Sequence, residues 1–243
     1  MSKGFVVAVW SPKGGVGKTV IAVALSQLLA EKQRTVLVDG NADNPDLVTL
    51  LQCASRPNIG TFPAEVGADA LESVLVRRTS RLYVLPGPTR FIDEKVLSYP
   101  AMETALQTLR NAGMAVVVDL SCSLRDSTLI ALDMADRIIV PVTLDLLSLT
   151  PVKRLAKELD FLNLPPQKFR VVVNRMTDTR EITPDDIRTF SPFPVAAMLP
   201  SARAVAAAIN RGECEAALAP SSPIGRAMAR TLADLVPPNA NVR

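Results

Sequence analysis

Ser11-Pro12-Lys13-Gly14-Gly15-Val16-Gly17-Lys18-Thr19 follows one apolar run, Phe5 to Trp10, and precedes another, Val20-Ile21-Ala22-Val23-Ala24-Leu25. The first run reads as a buried strand and the second as a helix. Strand, glycine loop, helix is the context that a phosphate-binding loop requires. Glycines let backbone N–H groups face a ligand without a Cβ in the way. The helix N-terminus adds partial positive charge at the same point. Lys18 can reach the terminal phosphates of a nucleotide, and the Thr19 hydroxyl can ligate Mg²⁺.

On either side of this stretch, short apolar runs alternate with amphipathic stretches. This predicts an α/β fold, a mostly parallel twisted sheet with helices on both faces, in one domain over 1–243. Strands are expected at Phe5–Trp10, Thr35–Asp39, Leu82–Leu85, Met114–Asp119, Arg137–Val142, Arg170–Asn174 and Val195–Met198. They hardly alternate, as strands buried on both faces should not. Helices are expected at Thr19–Glu31, Ala101–Asn111, Ser127–Met134, Val152–Leu162, Ala202–Asn210 and Ile224–Leu235. Thr150-Pro151, Thr183-Pro184 and Ser222-Pro223 each offer a capping hydroxyl before a proline at the first helical position. Arg56–Gly67, rich in Pro, Gly and polar residues, is expected to be a mobile loop.

Composition narrows the chemistry. The 243 residues are 48% hydrophobic and 21% charged, which suits a folded globule. Histidine is absent, which removes Ser-His-Asp and Cys-His catalysis and any histidine metal site. Asp, Asn, Lys and Mg²⁺ remain, a set suited to phosphoryl transfer. Cys53, Cys122 and Cys214 are widely spaced and odd in number, which suggests reduced thiols in a cytoplasmic protein. Cys122 reads as a packing residue. The net charge of +3 is too weak by itself to establish a nucleic-acid binder.

The plain motif would place its first glycine at position 12, where this chain has Pro12, and a second lysine, Lys13, opens the loop. Lys-Gly-Gly-Val-Gly-Lys-Thr resembles the deviant Walker A loop of the ParA/MinD family of P-loop ATPases. The resemblance implies ATP and Mg²⁺ as cofactors and hydrolysis to ADP and phosphate. It implies that Lys13, Gly14, Gly15, Val16, Gly17, Lys18, Thr19 and Val20 line the nucleotide. It also implies that Lys13 reaches across an ATP-driven homodimer to the partner's nucleotide.

Val36-Leu37-Val38-Asp39-Gly40-Asn41-Ala42-Asp43 is an apolar strand that runs into a polar loop. It resembles the family's first switch, with Asp39 as the first carboxylate and a metal-site candidate. Asn41 stands where the family orients the attacking water with Asp. An asparagine can orient water but cannot take a proton as a carboxylate does. Slow hydrolysis is therefore expected, with Asp43 a candidate substitute. Ala115-Val116-Val117-Val118-Asp119 resembles the Walker B strand, with Asp119 on Mg²⁺. Val171-Val172-Val173-Asn174-Arg175 resembles the late strand whose Asn reads adenine. Pro200 and the stretch Ala208–Gly212 resemble the loop and flank beside the base.

The cargo is open at this level. One reading is a positioning ATPase similar to the MinD-like TadZ/CpaE proteins, which place pilus or secretion machinery and work with protein partners. A second is a partition ATPase whose dimer binds DNA without sequence preference, with Arg170, Arg175, Arg180, Arg188, Arg203, Arg211, Arg226 and Arg230 as phosphate contacts. A third is a pseudo-ATPase that uses ATP as a structural switch. Ile224, Met228, Leu232 and Leu235 share a face that reads as core packing, so no direct membrane anchor is expected.

Overall fold

A computed structural model describes residues 4–41, 43–63, 65–67, 70–88, 98–177, 182–183, 186–201, 203–238 and 240. In chain order the elements are β1 (Phe5–Val9), α1 (Lys18–Ala30), β2 (Thr35–Gly40), α2 (Leu47–Leu51), β3 (Val76–Arg77) and β4 (Leu82–Leu85). Next come α3 (Tyr99–Asn111), β5 (Ala115–Leu120), α4 (Asp126–Met134), β6 (Arg137–Val142) and α5 (Leu146–Glu158). The chain continues through β7 (Phe169–Met176), α6 (Ile187–Phe190), β8 (Val195–Pro200) and α7 (Arg203–Asn210). It ends with α8 (Cys214–Ala217), α9 (Pro223–Ala229) and α10 (Leu232–Leu235).

The strands form one sheet in the order β3-β4-β2-β5-β1-β6-β7-β8. All pairings are parallel except the two-residue β3 against β4. Every residue of β1, β2, β5 and β6 is buried. Val6, Ala8 and Trp10 pack with Val116, Val118, α3, α4 and α5 on one face. Phe5, Val7 and Val9 pack with Val117, α1 and α9 on the other. Each strand thus feeds two cores, which is why its sequence is a continuous apolar run.

Helix α1 is buried almost all round, from Ile21 to Leu29, and Ser26 satisfies its hydroxyl on the Ala22 carbonyl at 2.7 Å. A helix apolar on all sides belongs inside, so α1 is a fixed platform for the loop before it. The crossover β1–α1–β2 passes over β5, whereas β5–α4–β6 passes over β1. The order reverses there, and the loops after β1, β2 and β5 open into the crevice where ligands of such sheets bind.

Several boundaries differ from expectation. Helix α5 starts at Leu146, where Asp145 caps by accepting from Ser148 N at 2.9 Å, and Pro151 lies inside it. The proline removes a bond to the Leu147 carbonyl, which sits on an exposed residue where water can serve it. The Ser222 cap is as expected, with Gly225 N donating to its hydroxyl at 3.0 Å. Pro184 lies outside the described residues. The expected helix Ile224–Leu235 breaks into α9 and α10, yet Ile224, Met228 and Leu235 are buried in the core. Within Arg56–Gly67 the expected loop is pinned by wholly buried Ile59, whose N–H donates to Pro86 O at 2.8 Å. Among the described residues no helix is long and apolar enough to cross a membrane.

Candidate nucleotide site

Gly17 caps α1 with φ +93° and offers no side-chain cap. The first helical bond runs from Ile21 N to Gly17 O at 3.1 Å. The N–H groups of the preceding turn have no intrahelical acceptor, the usual condition of a helix start and a ready anion site. Gly15, with φ +78°, carries the loop through a second left-handed turn.

The loop is braced from behind. The Asn174 amide, nearly fully buried at the end of β7, donates to Val16 O at 2.8 Å. Its Oδ1 accepts from Arg175 N at 2.9 Å and holds Arg175 at φ +57°. A Cβ on Gly17 would lie 2.2 Å from Asn174 Nδ2, so Gly17 is needed for contact as well as conformation. The geometry differs from the expected base contact: Asn174 turns toward the loop backbone, and exposed Arg175 is the member of the pair that lines the cleft.

Asp39 and Asp119 are paired positions on adjacent strands. Both are buried, Asp39 fully and Asp119 to within 1%. Asp39 accepts from Asn41 N at 3.2 Å and Leu47 N at 3.1 Å, one bond on each oxygen. Burial and the neighbouring Asp119 push its carboxyl well above the usual range. Asp39 thus staples the loop after β2 to the start of α2, where a metal ligand was expected. Asp119 is pushed up to about 7 by burial, opposed by a hydrogen bond from Thr19 and by the Lys18 charge. Its Oδ1 has no hydrogen-bond partner among the described residues. A buried carboxylate oxygen without a partner beside a hydroxyl and a lysine is the chemistry of a divalent-cation site. No three Asp, Glu, Cys or His side chains form a metal cluster among the described residues. Mg²⁺ would therefore need phosphate or water oxygens besides Thr19 and Asp119.

The crevice is about 740 Å³, lined by Gly14, Gly15, Gly17, Lys18, Thr19, Val20 and loop residues after β2 and β5, and closed by Ile209 and Asn210 of α7. Asn41 is there, but its amide donates to Asn44 O and accepts from Asn44 N at 3.2 Å, closing a local turn. Asp43 accepts from Ser123 Oγ and pairs with Arg125 at 2.6 Å. Burial raises its carboxyl, but the Ser123 and Ser121 bonds and the Arg125 charge outweigh it and leave it below the ordinary value. Asp43 thereby ties the loop after β2 to the loop after β5.

Lys13, half-buried, and buried Val16 are not among the lining residues. Pro200 lines a separate groove with Met198 and Arg230 and does not reach this crevice. Cys122 is exposed and lines the crevice, which overturns its reading as a packing cysteine. Sequence reasoning missed Asp46, which lines the crevice at the N-cap of α2, and Arg125. The Asp46-before-Leu47 step was a usable capping signal. Arg125 had none.

A parallel sheet with its glycine loop, lysine and helix start at the strand reversal defines a P-loop nucleotide-binding protein. The AAA domain family model matches residues 4–167. The MinD septum site-determining protein of Buchnera aphidicola (subsp. Schizaphis graminum) is 24% identical over 86% of this chain and 82% of its own length. The crystal structure of a ParA family ATPase from Chlorobium tepidum superposes with TM-score 0.82 and 19% identity, over 95% of this chain and 98% of that one. MinD from Pyrococcus horikoshii, complexed with Mg-ADP, superposes with TM-score 0.77 and 18% identity over 96% of each chain. The chain belongs to the AAA domain family, among the ParA/MinD P-loop ATPases.

Proposed function

We propose that this chain is an ATP-binding, ATP-dependently dimerising, cytoplasmic ATPase that positions a protein cargo, of the kind served by TadZ/CpaE-type proteins, and that it hydrolyses slowly. The observation that carries the nucleotide reading is the partnerless Asp119 Oδ1 beside Thr19 and Lys18. Thr19 and Asp119 would hold Mg²⁺, which neutralises phosphate charge when bound. The N–H groups of the loop and of the first turn of α1 cradle the phosphates, and Lys18 supplies a fixed positive charge. Asn174 holds the loop in that shape.

Slow turnover is supported by where the carboxylates are. Asn41 is committed to Asn44, and Asp43 to Ser123 and Arg125. No carboxylate at either position is unengaged to orient water. A role for Lys13 in a partner's site is supported by its place outside the lining of its own crevice.

A protein cargo is favoured over DNA by the arginines. Arg170 donates to the Gln167 and Phe169 carbonyls, Arg211 pairs with Glu213, and Arg226 donates to the Ser221 carbonyl. Arg180 lies outside the described residues. Arg188, Arg226 and Arg230 flank one edge of the sheet and are too few to make the continuous stripe that tracks a phosphate backbone.

Molar mass in solution tests the reading, with no nucleotide, with ADP–Mg²⁺ and with ATP–Mg²⁺, beside a Lys13→Ala variant. A dimer formed only with ATP and weakened in the variant is expected. A mass indifferent to nucleotide overturns the switch and leaves a pseudo-ATPase or scaffold. ATP-dependent retention on DNA that falls steeply with salt would instead identify the partition ATPase.

A further inference from the structure

The two edges of the sheet are treated differently. At one edge, β4 is covered by the two-residue antiparallel β3. At the other, β8 pairs only with β7, and no described residue hydrogen-bonds to its outer side. An open edge is a template for another strand, and proteins usually blunt it with charge or cover. Strand β8 carries Val195-Ala196-Ala197-Met198-Leu199-Pro200, with no charged residue; Pro200 closes its end, and its register with β7 shifts at two points, so the open stretch is Val195 to Leu199.

This edge lies at the bottom of two grooves, one on each face of the sheet. Helix α9 forms the wall on the α1 face, where Ile224 and Met228 are in the core. Its exposed side gives Arg226, Ala227 and Arg230 to a groove of about 480 Å³. Helix α6 stands on the opposite face, where Ile187 enters the other core, and contributes Arg188 to a groove of about 650 Å³. Met198, 45% exposed, borders both grooves. Successive side chains of an added strand point to opposite faces, so they would enter the two grooves alternately.

Charge selects the occupant. Three exposed arginines line the grooves, and among the described residues no carboxylate does. Arg188 and Arg230 have no ion-pair partner among the described residues, and Arg226 donates to a carbonyl only. We propose that the β8 edge is a docking site for an extended acidic segment of a partner protein, which adds a strand to the sheet and sets alternate side chains into the two grooves. The surface is separate from the nucleotide crevice and does not depend on its assignment.

A library of random twelve-residue peptides, displayed on phage, would be selected on the immobilised, nucleotide-free full chain. Enrichment of acidic sequences with alternating apolar positions is expected. The winning synthetic peptide should bind at least tenfold more weakly to an Arg188→Glu/Arg226→Glu/Arg230→Glu variant, whose changes are all exposed and whose fold is checked by circular dichroism. N-methylation of alternate peptide amides should abolish binding, and hydrogen exchange should slow at β8 amides when the peptide is added. No enrichment over the variant, or enrichment of basic peptides, overturns the proposal. So does binding that tolerates N-methylation and is competed away by heparin, which would make the edge a polyanion patch. Protection of β8 that rises with protein concentration alone overturns it in favour of a second copy.

Discussion

Asn174 Nδ2 donates to the carbonyl of Val16 at 2.8 Å, across 158 positions of sequence, and joins the tip of β7 to the phosphate loop. The loop has few contacts of its own, and Gly14 and Gly15 have nothing within 4 Å of where a Cβ would be. Its shape therefore depends on this strut and on the fixed α1.

Asn174→Ala should weaken nucleotide binding roughly tenfold, because leaving the buried Val16 carbonyl without its donor costs about 1–3 kcal/mol. The loss should be equal for ATP and GTP, since the strut touches backbone and no base. Asn174→Asp should be worse, because a carboxylate would face a carbonyl it cannot donate to. Titration followed by Trp10, the chain's single tryptophan and buried beside the loop, reads the affinity. A loss confined to ATP would restore the base-reading role.

Gly17→Ala should be more damaging than Gly14→Ala. At Gly17 a Cβ meets φ +93° and Asn174 Nδ2 at 2.2 Å, whereas Gly14 has open space and no positive φ. Left-handed strain costs roughly 1–2 kcal/mol, and relieving the clash breaks the strut. Gly17→Ala should abolish measurable ATP binding while Gly14→Ala changes it less than tenfold. Calorimetric titration of both variants checks the order.

These two residues mark what the sequence made legible. The sheet was readable because every central strand is buried on both faces, and such strands print as unbroken apolar runs. The loop was readable because glycines, lysine and threonine stand next to one another. The partnerships were not. Asn174 finds Val16, and Arg125 finds Asp43, through strand order and crossovers that no local pattern encodes. The start of α5 was misplaced because Thr150-Pro151 imitates a cap, while the effective cap, Asp145, precedes exposed Leu146 and Leu147 that show no amphipathic signal.

Asp119→Asn should stabilise the metal-free protein and remove its dependence on Mg²⁺. The carboxyl is pushed up to about 7 by burial, above its unfolded value of 3.8. A raised folded value means that the folded state holds the proton more tightly. Stability from this group is present at low pH and is lost as pH rises from about 4 through 7. In EDTA the gain in Tm from Asp119→Asn should be small at pH 5 and several degrees at pH 8. With ATP present, Mg²⁺ should raise the Tm of the wild type and leave the variant unchanged. A gain independent of pH would mean that Asp119 does not titrate as a buried carboxyl.

Breaking the tie between the two switch loops should speed turnover if Asp43 is a held-back water-orienting group. Arg125→Ala removes the ion pair at 2.6 Å and leaves Asp43 in place. Arg125 is half exposed, so the pair itself is worth little, about 0–1 kcal/mol, and Tm should hardly move. Hydrolysis should rise several-fold. Asn41→Asp should raise it further, because the new carboxylate cannot donate to the Asn44 carbonyl, so that bond is lost and the turn loosens. Adding Asp43→Ala to Arg125→Ala should return the rate to the wild-type level or below. If the double variant is as fast as Arg125→Ala alone, Asp43 takes no part in hydrolysis and its carboxylate serves only to tie the loops.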